Sequence, residues 1–405
     1  MLFRSALLSA GFWALCLLAA RLTVVPPESC GADNPEALQV AADNAVAWMI
    51  RNQGEDGRYV YLYHADSDTT PNEYNEVRHA GVTMSLYQAA GRLHNGDAFA
   101  AADKGMEWMR TNLQRHDAWA ALAPGGRRAS LGASALMLVS LNERRLATGD
   151  TQYDELMHEL ASFVVALQRD DGGFHIAYDI TAGEPDTEGT SRYFPGEALW
   201  ALALTHEAFP GEDWDQYALR ALDFVTLRRD DVENVDFPPL ADQWAAYGLS
   251  EMVEWGLSDE HINYAERLAA RFGLLVRTES QREGSWYGRA LRVEDSRASG
   301  VGTWAEGLAG LWRVSARDER LSGLKPTIKE RLQCVAGILA DRQVTEEAAQ
   351  SYPRPDLAAG AWFKGDETRM DDQQHAFSGI LYALDAIHDN PIREPAAAPL
   401  PGALQ

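Results

Sequence analysis

Cysteine is scarce: Cys16, Cys30 and Cys334 are the only three in 405 residues. That excludes a scaffold stapled by many disulfides and a zinc site built on paired cysteines. A single Cys30–Cys334 bridge in an oxidising compartment stays open. Basic residues are few as well, 36 Lys and Arg against 60 Asp and Glu, for a formal charge of −24. A chain this acidic lacks the basic face that phosphate backbones and anionic lipid require, so no nucleic-acid partner is expected. Stretches that alternate with the period of a strand are rare. No zinc-ligand set is present, and no metal ligand or cofactor is assigned, a divalent ion among the carboxylates staying open. What remains is apolar and aromatic, 46% hydrophobic with 12 Trp and 14 Tyr, ample for a large core.

The N-terminus reads MLFRSALLSAGFWALCLLAARLTVV, with sixteen uncharged residues from Ser5 to Ala20. This length lies between a signal-peptide core and a short membrane span. No small-x-small cleavage site follows cleanly, and the residues before Cys16 and Cys30 do not form a lipoprotein box. Residues 1–25 are therefore expected to be a membrane anchor, or else a cleaved signal, with 26–35 as a linker. Either reading exports the body. The expected location is the bacterial inner membrane with the body in the periplasm, or secretion. At the other end, the Pro/Ala-rich residues 391–405 are expected to form a flexible tail.

Between these ends, apolar residues recur with helical spacing in six pairs of segments. First members cover 36–52, 98–114, 153–168, 214–228, 259–276 and 327–342. Second members cover 77–93, 129–147, 195–208, 239–255, 301–316 and 373–388. The first members keep a charged side, as in DQYALRALDFVTLRR, and so face water along one stripe. The second are apolar on several faces, as in LGASALMLVSL, which marks buried helices. An unbroken alternation of the two kinds predicts one closed ring, six helices inside and six outside, in preference to two separate bundles. Links from second to first members are short, near 94–97 and 209–213. Links from first to second are often long, over 53–76, 169–194, 277–300 and 343–372. Long loops in a compact fold are usually functional, and all of these lie where the inner helices begin.

Outer segments end in a recurring pattern, LQRDDGGFHIAY at 167–178 and RNQGEDGRYVYLY at 51–63, with a fainter echo in ERLQCVAGILADRQV…GAWF. Glycine stops the helix in a left-handed turn and the aromatic packs the loop back onto the ring. In this alternation and these helix ends the chain resembles the (α/α)6-toroid superfamily over residues 36–390. That superfamily includes glycoside hydrolases, polysaccharide lyases, epimerases and, more distantly, terpenoid-cyclase-like toroids. The resemblance implies an all-α toroid with substrate in a funnel at the N-terminal ends of the inner helices. The Asp-x-Asp-Asp acid of protonating terpene cyclases is missing, since MDDQQ lacks the first Asp. Cys334 alone cannot supply the zinc ligands of prenyltransferase-like toroids.

Polar residues at the inner-helix starts are then the candidates: Asn75, Arg78 and His79; Arg127, Arg128 and Ser130; Glu197; Asp242 and Gln243; Thr303, Trp304 and Glu306; Asp371, Asp372, Gln374 and His375. Each has a structural explanation beside the functional one. Glu197 in a first turn complements the helix dipole, capping is the better reading for Asp371, and a histidine on a helix is more often a core residue. Glu306 is hard to explain structurally, because a carboxylate among Gly and Ala is costly without a partner. In a closed ring the first and sixth inner helices are neighbours, which brings Arg78 and His79 toward Asp372 and His375. Aromatics in the loops (Tyr59, Tyr61, Tyr63, Tyr193, Trp286, Tyr287, Trp362) are equally suited to stacking on sugar and to anchoring the loops.

The preferred reading is an exported carbohydrate-active enzyme of the cell envelope, a glycoside hydrolase using paired carboxylates. Asp242 and Glu306 are ranked first as catalytic residues, followed by Glu197 and Asp372. Asn75, Arg78, His79, Arg192, Tyr193, Gln243, Trp304, Gln374 and His375 are assigned to substrate. The alternatives are an epimerase or lyase acting on an anionic polysaccharide, and a non-catalytic polysaccharide-binding or scaffold protein. Expected partners are a carbohydrate or polysaccharide, and the membrane through the N-terminal segment.

Overall fold

A computed structural model describes residues 2–23, 27–235, 238–283 and 295–391. Trp286, Tyr287 and the tail after residue 391 lie outside the described residues, as does part of the 277–300 loop. The first helix, α1 (Leu2–Thr23), precedes twelve helices of the ring. The outer set is α2 (Pro35–Arg51), α4 (Gly96–Thr111), α6 (Asp154–Ala166), α8 (Trp214–Leu227), α10 (Asp259–Glu283) and α12 (Lys325–Arg342). The inner set is α3 (Glu76–Arg92), α5 (Leu131–Thr148), α7 (Phe194–Ala208), α9 (Gln243–Glu251), α11 (Ala298–Arg317) and α13 (Met370–Ile387).

Local chemistry sets several boundaries. Asn34, Asn75 and Asn95 cap α2, α3 and α4, each side chain accepting a backbone N–H three residues on. Pro238 and Pro239 delay α9 until Asp242 caps it, so this helix starts at Gln243 rather than 239. Conversely, α11 starts at Ala298 and not 301, and α10 extends to Glu283.

Packing closes the ring. Inner helices touch in the order α3, α5, α7, α9, α11, α13, and α13 returns to α3. Outer helices sit against them, α4 on α3, α8 on α7 and α2 on α13. Burial follows the amphipathic pattern: α4 hides Ala98, Ala102, Met106 and Met109 on one stripe, whereas α5 is buried continuously from Leu131 to Arg144. The close approach of α11 to α13 depends on Gly302, where an added Cβ would lie 2.3 Å from the His375 carbonyl carbon. Short strands brace the loops on the funnel face. Among them β1 (Leu62–His64) pairs antiparallel with β7 (Glu367–Arg369), Tyr63 opposite Thr368. β2 (Leu113–His116) pairs with β3 (Trp119–Leu122), and β4 (Arg128–Ser130), β5 (Ala177–Asp179) and β6 (Glu184–Asp186) form a further small sheet. The pairing of β1 with β7 ties the loop before the first inner helix to the loop before the last.

Cys30 and Cys334 form a disulfide that fastens the segment before α2 to α12 across 304 residues of sequence. Closing so long a loop restricts the unfolded chain strongly. Cys334→Ser is expected to lower stability by about 2–5 kcal/mol, read as a lower denaturation midpoint in urea. An unchanged midpoint would show that the bridge contributes nothing. Cys16 is free and exposed.

The structure does not support the anchor among the two N-terminal expectations. Among the described residues no helix is long and apolar enough to cross a membrane. The side chains described in α1 span 5–21 and are exposed, Leu8 and Leu17 among them.

Candidate functional site

A cavity of about 450 Å³ opens at the N-terminal ends of the inner helices. Every inner helix except α5 contributes from its first turns or from the residue just before it, and α5 contributes only Leu136. The chemistry in the lining belongs to Asn75, Arg78, Glu197, Gln243, Trp244, Arg297, Arg369, Asp371, Gln374 and His375.

Glu197 lies in the first turn of α7, where Pro195 starts the helix and the Ser191 hydroxyl accepts the N–H of Phe194. Its side chain is buried, and Oε2 has no hydrogen-bond partner. Gly132 of α5 leaves it room: a Cβ there would come within 2.4 Å of Oε2. Burial, reinforced by the charge of Asp242, pushes the Glu197 carboxyl up to about 8. At neutral pH it therefore holds its proton. The helix-dipole account does not explain a carboxyl kept neutral.

Across the ring, three inner helices away in either direction, α13 presents Asp371 and His375. Asp371 Oδ2 accepts from Arg369 Nη2 at 3.1 Å and lies 3.4 Å from Arg78 Nε, while Oδ1 is buried without a partner. His375 Nδ1 is 2.8 Å from Glu306 Oε2, and Gln374 Nε2 donates to Glu306 Oε1 at 3.3 Å. Burial alone would lower the imidazole, but Glu306 together with Asp371 and Asp372 outweighs it and raises His375 above the usual histidine range. With Nδ1 directed at Glu306, Nε2 is the ring nitrogen left for a ligand. Glu306→Gln should bring the His375 titration below its wild-type midpoint, as followed by NMR of the ring protons. An unmoved midpoint would end this assignment for Glu306.

Three of the residues first assigned to catalysis have other work. Asp242 does not line the cavity. Oδ1 caps α9 through Ala245 N at 3.0 Å, and Oδ2 accepts from buried Arg229 at 2.6 Å. Arg229 in turn donates to the Ser191 and Arg192 carbonyls, so the pair fastens the loop that carries Arg192 and Tyr193. Asp372 is likewise spent on structure, accepting from Arg297, Ser299 N and Arg369 N. Consecutive helical residues point about 100° apart, so Asp371 faces the cavity and Asp372 faces α11. Glu306 is fully buried and meets the cavity only through its contacts with His375 and Gln374.

His79 is a further correction. It is a core histidine between the Tyr74 hydroxyl at 2.6 Å and the Gly105 carbonyl at 2.9 Å, and burial lowers it to about 4. Asn75, Arg78, Tyr193, Gln243, Gln374 and His375 do line the cavity. Arg192 and Trp304 line a second lobe instead, of about 630 Å³, which shares Tyr193, Gly300 and Thr303 with the first. Among the loop aromatics, Tyr59, Tyr63 and Trp362 are buried anchors, whereas Tyr61 accepts from Arg78 and Tyr193 is half exposed. Arg127 and Arg128 line a separate surface pocket beside β5 and β6.

Sequence reasoning missed Arg297 and Arg369. The first was hidden by placing the start of α11 at 301; the second stands directly before MDDQQ and was visible as a helix-flanking cation. Trp244 was visible too, next to the favoured Asp242.

No protein-family model and no curated protein matches the sequence. Solved structures do match in fold. An unsaturated glucuronyl hydrolase specific for heparin superposes with a TM-score of 0.62 at 12% identity, covering 88% of this chain and 99% of its own. The cellobiose 2-epimerase of Spirochaeta thermophila gives 0.59 at 14% identity, over 88% and 99%. A family 76 α-mannanase of Bacteroides thetaiotaomicron gives 0.58 at 11% identity, over 87% and 96%. With its ring closed by α13 on α3, the chain has the (α/α)6-toroid fold shared by these hydrolases and epimerases.

Proposed function

We propose that the protein is a carbohydrate-active enzyme, and specifically a glycoside hydrolase. The observation that carries this reading is a protonated, unpartnered Glu197 facing, across one cavity, the Asp371 carboxylate on the opposite inner helix. Hydrolysis needs that asymmetry. Glu197 donates its proton to the glycosidic oxygen as the bond to the anomeric carbon breaks. Asp371, held between Arg78 and Arg369, accepts the proton of the attacking water. Gln243, Gln374 and Asn75 offer amides for sugar hydroxyls, and Trp244 an apolar wall. The test is release of reducing sugar from a glycan panel, with the anomer of the first product followed by NMR. No product from any glycan would reject the hydrolase.

A second reading, an epimerase or lyase on an anionic polysaccharide, is favoured by the His375–Glu306 pair, which can move a proton beside arginines. Product absorbance at 232 nm, or solvent deuterium at C5 without cleavage, would select it. Export accompanies either reading. The Cys30–Cys334 disulfide supports an oxidising compartment. Fractionation of cells expressing the full chain tests this, and recovery in the cytosol alone would reject it.

A further inference from the structure

The second lobe is not needed by the groups that would do the chemistry, yet it is the larger and opens directly off the first. Its lining includes Arg192 and Tyr193 before α7, Glu233, Arg271 of α10 and Trp304 of α11. Two aromatics flank it, with Tyr193 standing at the junction of the lobes and 49% exposed.

Charge distinguishes this lobe. Elsewhere in the chain arginines are mostly spent on carboxylates, as expected where acids outnumber bases: Arg78 and Arg369 share Asp371, and Arg297 bridges Glu367 and Asp372. Among the described residues the one lining carboxylate of the second lobe, Glu233, is already held by Arg229 at 2.8 Å. Among the described residues no carboxylate pairs with Arg192 or Arg271, and the buried Nε of Arg271 has no hydrogen-bond partner. Two guanidinium groups with no carboxylate partner among the described residues, in a chain of charge −24, are a place for an anion. Their planar donor forks suit carboxylate and sulfate oxygens.

Building on the proposed function, we infer that the second lobe is a subsite for an anionic sugar unit. It would hold a carboxylate or sulfate between Arg192 and Arg271, with the sugar against Trp304 and Tyr193. A substrate reaching both lobes then has at least two units, its reacting bond at the junction marked by Tyr193, Gly300 and Thr303. Arg229 and Asp242 set the position of Arg192, which gives that buried pair a part in recognition.

The test uses the full chain carrying Glu197→Gln to block turnover. It is screened for binding to neutral, uronate-bearing and sulfated oligosaccharides of one to four units, then again with Arg271→Ala or Arg192→Ala added. The expected result is selective binding of anionic oligosaccharides of two or more units, weakened at least tenfold by either arginine change and by raised salt. Retention of uronate-bearing or of sulfated members identifies the anion. Arg192 is exposed, so its replacement leaves folding intact even where that of Arg271 does not. Glycans bound without regard to charge, or arginine variants within twofold of the parent, would overturn the subsite and leave the hydrolase standing. Binding of no glycan at all would overturn both.

Discussion

Glu197→Gln is expected to cut turnover of a natural glycoside by about 10²–10⁴-fold, the usual contribution of a general acid. The amide fits the same space beside Gly132 but has no acidic proton to give. Glycosides with a good aryl leaving group need less protonation, so they should lose far less, and that contrast separates proton donation from binding. In the wild type kcat/KM should fall as pH rises through about 8, where Glu197 loses its proton. The stability change has an unusual sign. A carboxyl raised from 4.5 to about 8 stays protonated in the fold while the unfolded chain has ionised, so the folded state binds the extra proton. Stability then declines as pH climbs from about 4.5 to about 8, by roughly 4–5 kcal/mol if the whole shift is expressed. Glu197→Gln removes that dependence. It should therefore melt higher than the wild type at pH 9 and close to it at pH 4.5. A variant with full turnover on alkyl glycosides and an unchanged pH–melting profile would remove Glu197 from the mechanism.

Asp242→Asn should behave in the opposite way. Asparagine can still cap α9, but the charge facing Arg229 is gone from a site where both side chains are almost wholly buried. Leaving a buried guanidinium short of its partner costs about 3 kcal/mol, Glu233 keeping part of the compensation. Urea unfolding should show that loss. Below the melting range kcat should stay within about tenfold of wild type, while KM rises because the loop carrying Arg192 and Tyr193 is less firmly held. A loss of kcat beyond a thousandfold with stability intact would restore Asp242 to the catalytic role that the sequence suggested.

The two variants show where the sequence was legible and where it was not. Helical periodicity separated outer from inner segments because amphipathicity is written at 3.6-residue spacing, and loop lengths pointed to the funnel face. Among the catalytic candidates, Glu197 was visible from Pro195 two residues before it. Ranking the four was another matter. Asp371 and Asp372 are chemically identical neighbours, and only the roughly 100° turn between them sends one to the cavity and the other to Arg297 and Ser299. Asp242 was ranked first because nothing near it in the sequence names its partner, Arg229, which lies on another segment. His79 looked like a rim residue until Tyr74 and Gly105 closed over it.

The sequence by itself determined a ring of paired helices, its polar rim and an acidic chain unsuited to nucleic acid. These follow from local spacing and composition, which need no knowledge of distant neighbours. Tertiary structure alone decided that α13 meets α3, that Cys30 meets Cys334, and which carboxyl stays protonated. Those outcomes depend on burial and on charges brought together across as many as three hundred residues. A pKa is set by the dielectric and the partners within a few ångströms, and no run of adjacent residues contains that information.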